Sequence, residues 1–215
     1  MIAIIDYKAG NLTSVKLAFE SLGIDAAITD SSDMILRADR VIFPGVGAAG
    51  SAMNNLRQLG LIDTIRKVVA AGTPFLGICL GTQIIFQHSE EDGGVDCIGI
   101  VPGRVKEFAP SNPYDKVPHM GWNRVQFTQE HPVFSGIANN SEFYFVHSFY
   151  PAPSDSKWTI GTTDYADVTF TSAIAHKNLV ATQFHPEKSG KIGLQLLKNF
   201  CQWHPATAIE SNPVK

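Results

Sequence analysis

The sequence predicts an α/β fold, a three-layer arrangement in which an open, mostly parallel sheet is flanked by helices. Residues 2–7, an apolar run ending at Asp6, and the apolar run at 75–78 read as buried strands, because they lack the polar alternation of a half-exposed strand. Stretches with the apolar spacing of helices separate them. At Gly77-Ile78-Cys79-Leu80-Gly81 the chain must pass from strand to helix at a cysteine set between glycines, a tight reversal with the form of a nucleophile elbow.

Residues 2–7 suit a central strand ending at Asp6. Asn11 can cap the next helix, with Leu12, Val15, Leu17, Ala18, Phe19 and Leu22 as its core-facing stripe and Gly23 as its stop. Residues 24–29 and 40–43 supply the second and third strands. The third runs into Pro44-Gly45-Val46-Gly47, a loop just after a strand's carboxyl end, which is where open α/β sheets bind ligands. Helices over 48–59 and 61–71 end at Gly60 and Gly72. Beyond the elbow, 81–88 reads as a helix, followed by the polar turn Ser89-Glu90-Glu91-Asp92-Gly93-Gly94.

From 98 to 170 the pattern changes to short strands separated by Gly, Pro and Asn, expected as the periphery of one sheet. His119-Met120-Gly121-Trp122 falls there as an apolar loop, for which local core packing is one reading, and 144–149 alternates as a strand. Residues 179–184 read as a strand and 191–203 as an amphipathic helix presenting Ile192, Leu194, Leu196, Leu197, Phe200 and Cys201. With 215 residues, 44% of them hydrophobic, the chain can bury one sizeable core. A single domain over 1–204 and a loose tail over 205–215 are expected.

The chemistry concentrates at two places. Cys79 stands at the start of a helix, where free N–H groups favour negative charge on sulfur and on a developing oxyanion. A buried structural cysteine in the same kind of turn is the competing reading. Far downstream lies Gln183-Phe184-His185-Pro186-Glu187. If 179–184 continues as a strand, His185 and Glu187 are two apart and point to one side, with Pro186 fixing the backbone between them. A carboxylate beside an imidazole selects its tautomer, so Cys79, His185 and Glu187 can serve as nucleophile, base and orienter.

Composition narrows the function. A formal net charge of -3 without basic clusters argues against nucleic-acid binding. No apolar run approaches the roughly 20 residues of a membrane span, and the first residues lack the charged start of a signal peptide, so a cytosolic protein is expected. Three cysteines, odd in number and widely spaced, suggest neither a disulfide framework nor a zinc site. Neither a metal nor an organic cofactor is expected.

Taken together, the elbow and the His-x-Glu motif make the chain resemble a class I (triad) glutamine amidotransferase of flavodoxin-like fold. Further stretches resemble the glutaminase subunits of imidazole glycerol phosphate synthase: Asp6-Tyr7-Lys8-Ala9-Gly10-Asn11-Leu12, Pro44-Gly45-Val46-Gly47, Pro102-Gly103-Arg104-Val105, His119-Met120-Gly121-Trp122-Asn123 and Tyr144-Phe145-Val146-His147-Ser148. The sequence departs from that pattern at Thr82, where methionine is common, at Phe149, where tyrosine is frequent, and at Cys97, where glycine is usual.

The resemblance implies a substrate, a set of residues around it and a partner. L-Glutamine would be the substrate, and Val46 and Leu80 would offer their N–H groups to the oxyanion after the 45–47 peptides reorient. Gly47, Gln83, Glu91, His147 and Ser148 would surround the substrate, with Glu91 near its α-ammonium. Read without the resemblance, Glu91 is equally an exposed loop carboxylate. Asn11, His119, Met120, Trp122 and Lys188 would face a (β/α)8-barrel cyclase subunit, with which the chain would form a heterodimer of histidine biosynthesis. Two other readings stay open: a glutaminase subunit serving another synthase of the class, and a non-catalytic binding module on the same fold.

Overall fold

Ile2 and Ile4 pack into one core and Ala3 and Ile5 into another, because a strand turns successive side chains to opposite faces and here both faces are covered. The computed structural model describes residues 1–8 and 10–205, so the tail expected at 205–215 lies, beyond Pro205, outside the described residues. That first strand, β1 (Ile2–Ile5), lies between β2 (Ala26–Thr29) and β3 (Arg40–Gly45). β4 (Phe75–Cys79) and β13 (Leu179–Thr182) complete a parallel block.

Four antiparallel strands extend the block: β8 (His119–Phe127), β9 (Ser141–His147), β11 (Thr159–Tyr165) and β12 (Val168–His176). The result is a mixed nine-stranded sheet in the order β2-β1-β3-β4-β13-β12-β11-β8-β9. α1 (Leu12–Ser21) and α6 (Gly190–Gln202) cover one face through Val15, Phe19, Leu196 and Phe200. α2 (Ser32–Leu36), α3 (Ala49–Gln58) and α4 (Leu61–Ala70) cover the other through Ile35, Met53, Leu56, Ile65 and Val68. The three layers expected from the sequence are therefore present.

Part of the segment 86–153 does not join that sheet. β5 (Phe86–Ser89), β6 (Val95–Asp96), β7 (Val101–Glu107) and β10 (Phe149–Pro153) form a separate four-stranded sheet in the order β10-β7-β5-β6. Phe86, Val101 and Val105 anchor it to the same core as α3 and α4. The expected helix over 81–88 is consequently short: α5 spans Leu80–Ile84, and Phe86 turns away to pair with Val101. Tertiary pairing overrides the local helical preference there.

Other elements also differ from their sequence reading. Leu17 is 57% exposed, so the buried stripe of α1 narrows to Val15, Ala18 and Phe19. Asn11 makes no side-chain cap; its backbone is left-handed, with φ 74. The stretch 119–122 is not a loop but the start of β8, paired residue for residue with β9 from His119↔His147 onwards. The short α2, capped by Ser31 accepting from the Met34 N–H, had no anticipated counterpart.

The register decides where chemistry can occur. Gly45 lies opposite Cys79 and Thr182 opposite Ile78, so β3, β4 and β13 end together at one edge of the sheet.

Candidate active site

The elbow is forced by close backbone packing. A Cβ at Gly81 would overlap the carbonyl oxygen of Phe43, and one at Gly77 would come within 2.9 Å of the Ala181 Cβ. Helix α5 can thus start against β3 only with glycine at 81. Cys79 takes φ 53 and ψ -111, a conformation costly for a residue with a side chain, and its thiol is nearly buried at 6% exposure. Thr82 anchors the helix by donating to the Thr182 carbonyl at 2.7 Å, a bond that methionine at that position could not make.

His185 and Glu187 come together differently from the expectation. β13 stops at Thr182, and Pro186–Lys188 is a single 3-10 turn, so a turn rather than a strand brings the two side chains to one side. The His185 N–H donates to the Tyr144 carbonyl at 2.9 Å, and the Ser189 hydroxyl donates to the His185 carbonyl at 2.6 Å. Imidazole Nδ1 lies 2.7 Å from Glu187 Oε1, with both side chains fully shielded. A carboxylate there keeps the proton on Nδ1 and leaves Nε2 free to act as a base.

Nε2 has no hydrogen-bond partner and approaches the Cys79 thiol without reaching hydrogen-bonding geometry. Burial by itself would push His185 down. Facing a thiolate at Cys79, the imidazole is held up, to about 10, by that charge and by Glu187, which outweigh burial; a proton passed from the sulfur to Nε2 is therefore retained there.

A cavity of about 250 Å³ opens beside the sulfur. Val46, Gly47, Leu80, Gln83, Glu91, His147 and Ser148 all line it with Cys79, so the structure brings together every oxyanion and substrate residue expected from the sequence. Glu91 Oε2 accepts from the Ala49 N–H at 2.7 Å, at the start of α3; burial raises its carboxyl, and that bond offsets part of the rise. It is therefore a fixed, half-buried group and not a free loop carboxylate. The Gln83 side-chain N–H groups are committed to the Phe149 carbonyl at 2.8 Å and to Gln183 Oε1 at 3.0 Å. Its carbonyl oxygen is what it can offer a ligand.

His147 is not a second base. Its Nδ1 lies 2.8 Å from the Phe149 carbonyl and its Nε2 3.0 Å from His119 Nδ1, and burial pushes it down to about 3. His119 follows the same logic, pushed down by burial to about 4. The resemblance places it on the partner face, but it is 3% exposed and stacked on Tyr165, as the core-packing reading of 119–122 has it. Its alternation partners on β8 do reach the surface, Met120 at 62% and Trp122 at 56% exposure. Lys188 is exposed beside them, its ammonium 6.0 Å from the Tyr144 ring that packs edge-on to Trp122.

Three contacts at the site escaped the sequence reading, which had Asn11 only as a helix cap and a partner-facing residue and gave Gln183 and Tyr7 no role. Asn11 donates to Glu187 Oε1 at 2.6 Å. Gln183 donates to the Cys79 sulfur at 3.8 Å. Tyr7, fully buried, puts its unpartnered hydroxyl where a Cβ of Gly45 would stand, so glycine at 45 answers to Tyr7. Only their presence in motif stretches could have signalled them. Among the described residues no group of His, Cys, Asp and Glu is arranged to hold a metal, and no helix is long and apolar enough to cross a membrane.

The family model for glutamine amidotransferase class-I matches residues 3–203. The chain belongs to the class-I glutamine amidotransferases. Within them it is similar to the imidazole glycerol phosphate synthase subunit HisH of Methanocaldococcus jannaschii, 50% identical over 94% of this chain and 99% of that one. The subunit of the same name from Nitrosococcus oceani is 47% identical over 94% of this chain and 97% of that one. The structure of PurLQS from Thermotoga maritima superposes with a TM-score of 0.72, covering 94% of this chain and 97% of that one at 15% identity, a likeness of fold. In this amidotransferase Cys79, His185 and Glu187 gather at the carboxyl edge of the parallel block.

Proposed function

We propose that the chain is the glutaminase subunit of an imidazole glycerol phosphate synthase, releasing ammonia from L-glutamine for a (β/α)8-barrel cyclase in a heterodimer. The observation that carries this reading is Cys79, strained at the elbow, facing a His185 whose other nitrogen is held by Glu187. The similarity to HisH subunits over nearly the whole chain supports the choice of synthase over other members of the class.

His185 Nε2 takes the thiol proton as Cys79 Sγ attacks the side-chain amide carbon of glutamine. The negative oxygen of the tetrahedral intermediate is met by the Leu80 N–H and, once the 45–47 peptides reorient, by that of Val46. Collapse breaks the C–N bond, His185 returns its proton to the leaving nitrogen, and ammonia departs from a γ-glutamyl thioester. His185 then activates water, which hydrolyses the thioester to glutamate. Glu91, held at the edge of the cavity, faces the substrate's α-ammonium. No step calls for a metal or an organic cofactor.

Ammonia released into neutral water is nearly all ammonium and no longer a nucleophile, so its direct transfer to the cyclase follows from the chemistry. Met120, Trp122 and Lys188 supply an exposed apolar, aromatic and cationic patch for that partner. Asn11 lies at the same edge, bonded inward. Glutamate release is to be measured for the chain alone, with the cyclase, and with the cyclase plus its nucleotide ligand. A sharp rise with both additions, abolished in Cys79→Ser, supports the reading. High activity alone, indifferent to the cyclase, overturns it.

A further inference from the structure

We infer that Gln183 is a positioning residue for the reactive sulfur, its side-chain N–H held toward Cys79 by a hydrogen-bond chain whose direction is set by one backbone carbonyl. The chain begins at Phe149, whose C=O can only accept. It takes one bond from His147 Nδ1 and one from Gln83 Nε2, each at 2.8 Å. The second N–H of Gln83 then donates to Gln183 Oε1 at 3.0 Å. With its oxygen so engaged, Gln183 must turn its nitrogen, a donor, to the Cys79 sulfur 3.8 Å away. On the other side, His147 Nδ1 must carry the proton it donates to the Phe149 carbonyl, which leaves its Nε2 to accept from His119 Nδ1.

Gln83 and Gln183 are shielded at 5% and 0% exposure, which strengthens each bond and makes a reversed amide costly. The Gln183 backbone is itself pinned, its N–H donating to the Ser172 carbonyl at 2.9 Å. An N–H fixed toward sulfur favours the thiolate over the thiol, and holds it in the direction of attack. His185 approaches the same sulfur from two residues further on, so base and N–H donor are both supplied by the short stretch that follows β13.

The inference rests on Cys79 being the nucleophile, and its test reads the sulfur directly. Cys79 alkylation by iodoacetamide at neutral pH is to be followed by mass spectrometry in the full chain and in Gln183→Met and Gln183→Glu. Cys97 and Cys201 serve as internal references for folding. A donor role predicts the order unaltered chain, Gln183→Met, Gln183→Glu from fastest to slowest. The methionine variant should be roughly tenfold slower, the scale of one hydrogen bond to a charged group. In Gln183→Glu an oxygen replaces the N–H, and alkylation slows further.

A packing role predicts the reverse, because glutamate matches glutamine in shape and still accepts from Gln83. Alkylation of Gln183→Glu at or above the rate of Gln183→Met therefore overturns the inference, as does an unchanged rate in Gln183→Met. Changed rates at Cys97 and Cys201 would assign the effect to folding and overturn it as well. Turnover with the cyclase complements this: kcat should fall with KM nearly constant. Absence of glutamate release from the unaltered complex would instead sink the glutaminase reading and leave the alkylation order standing.

Discussion

Asn11 and His185 share one carboxylate oxygen. The Asn11 amide donates to Glu187 Oε1 at 2.6 Å and His185 Nδ1 meets the same atom at 2.7 Å, so a residue more than 170 positions upstream holds the carboxylate that orients the imidazole. The left-handed backbone of Asn11, φ 74, is one that Asn, Asp and Gly adopt readily. Asn11→Gly keeps that backbone and deletes the donor; kcat should fall roughly ten- to hundredfold, the range for losing a hydrogen bond to a charged group. Asn11→Asp sets a second carboxylate against Glu187 and should be worse. Steady-state kinetics of the cyclase complex checks both, and equal activity in Asn11→Asp would dismiss the contact.

Strain at the elbow separates stability from activity. With φ 53 at Cys79, Cys79→Gly removes a backbone penalty that Cys79→Ala retains. Both variants lose turnover, yet Cys79→Gly should unfold at the higher temperature. A difference of about 1 kcal/mol corresponds to roughly 2–4 °C in Tm for a chain of this size. Calorimetry of the two variants side by side decides it.

Gly193 lies in α6, far along the chain from the sulfur, but a Cβ there would overlap the Pro186 carbonyl oxygen. Gly193→Ala must push the turn that carries Glu187 away from α6. Overpacking of this kind costs about 1–3 kcal/mol. We expect a lowered Tm together with a loss of glutaminase activity larger than the loss of folded protein would explain.

Acid should destabilise the fold through its buried and half-buried neutral imidazoles. Burial pushes His119 and His131 down to about 4 and His147 to about 3, from an ordinary value of 6.5. Below 6.5 the unfolded chain binds protons that the folded chain refuses, so stability falls as pH drops toward 4. His131 also caps a turn by accepting from the Val133 N–H at 3.3 Å. His131→Asn keeps a capping acceptor without titrating. The urea midpoint of the unaltered chain should fall between about pH 7 and about pH 5, and that of the variant should fall less.

The exposed Trp122 belongs to the proposed docking face. Truncating it leaves no cavity inside the chain, so Trp122→Ala should change Tm little. Against the cyclase it should cost about 2 kcal/mol, a roughly thirtyfold weaker Kd, as large aromatic anchors do. Titration calorimetry of the two subunits reads this directly. An unchanged Kd would move the interface elsewhere.

How much of this is legible in the sequence varies from element to element. β1, β4 and the Val41–Phe43 core of β3 can be read because strands covered on both faces are apolar at successive positions. The elbow can be read because its glycines answer to a local steric demand. Cys79, His185 and Glu187 can be singled out together from their motifs, but the geometry that joins the last two needs amending: they meet across a 3-10 turn and not along a strand.

Beyond that reach lies whatever depends on a distant partner. Nothing near Phe86 announces that it will pair with Val101 and end a helix early. The stretch 119–122 leaves core and partner face both open until β8 is laid against β9, when the His119 ring turns inward to His147 while Met120 and Trp122 emerge. Asn11 carries the composition of a helix cap, and only the folded chain sets Glu187 in front of it. The sequence by itself determined the fold class, the strained elbow at Cys79 and the closeness of His185 to Glu187, since periodicity and backbone sterics act between chain neighbours. Tertiary structure alone decided which side chains hold those groups in place, because hydrogen bonds across more than a hundred residues exist only once the sheet has been assembled.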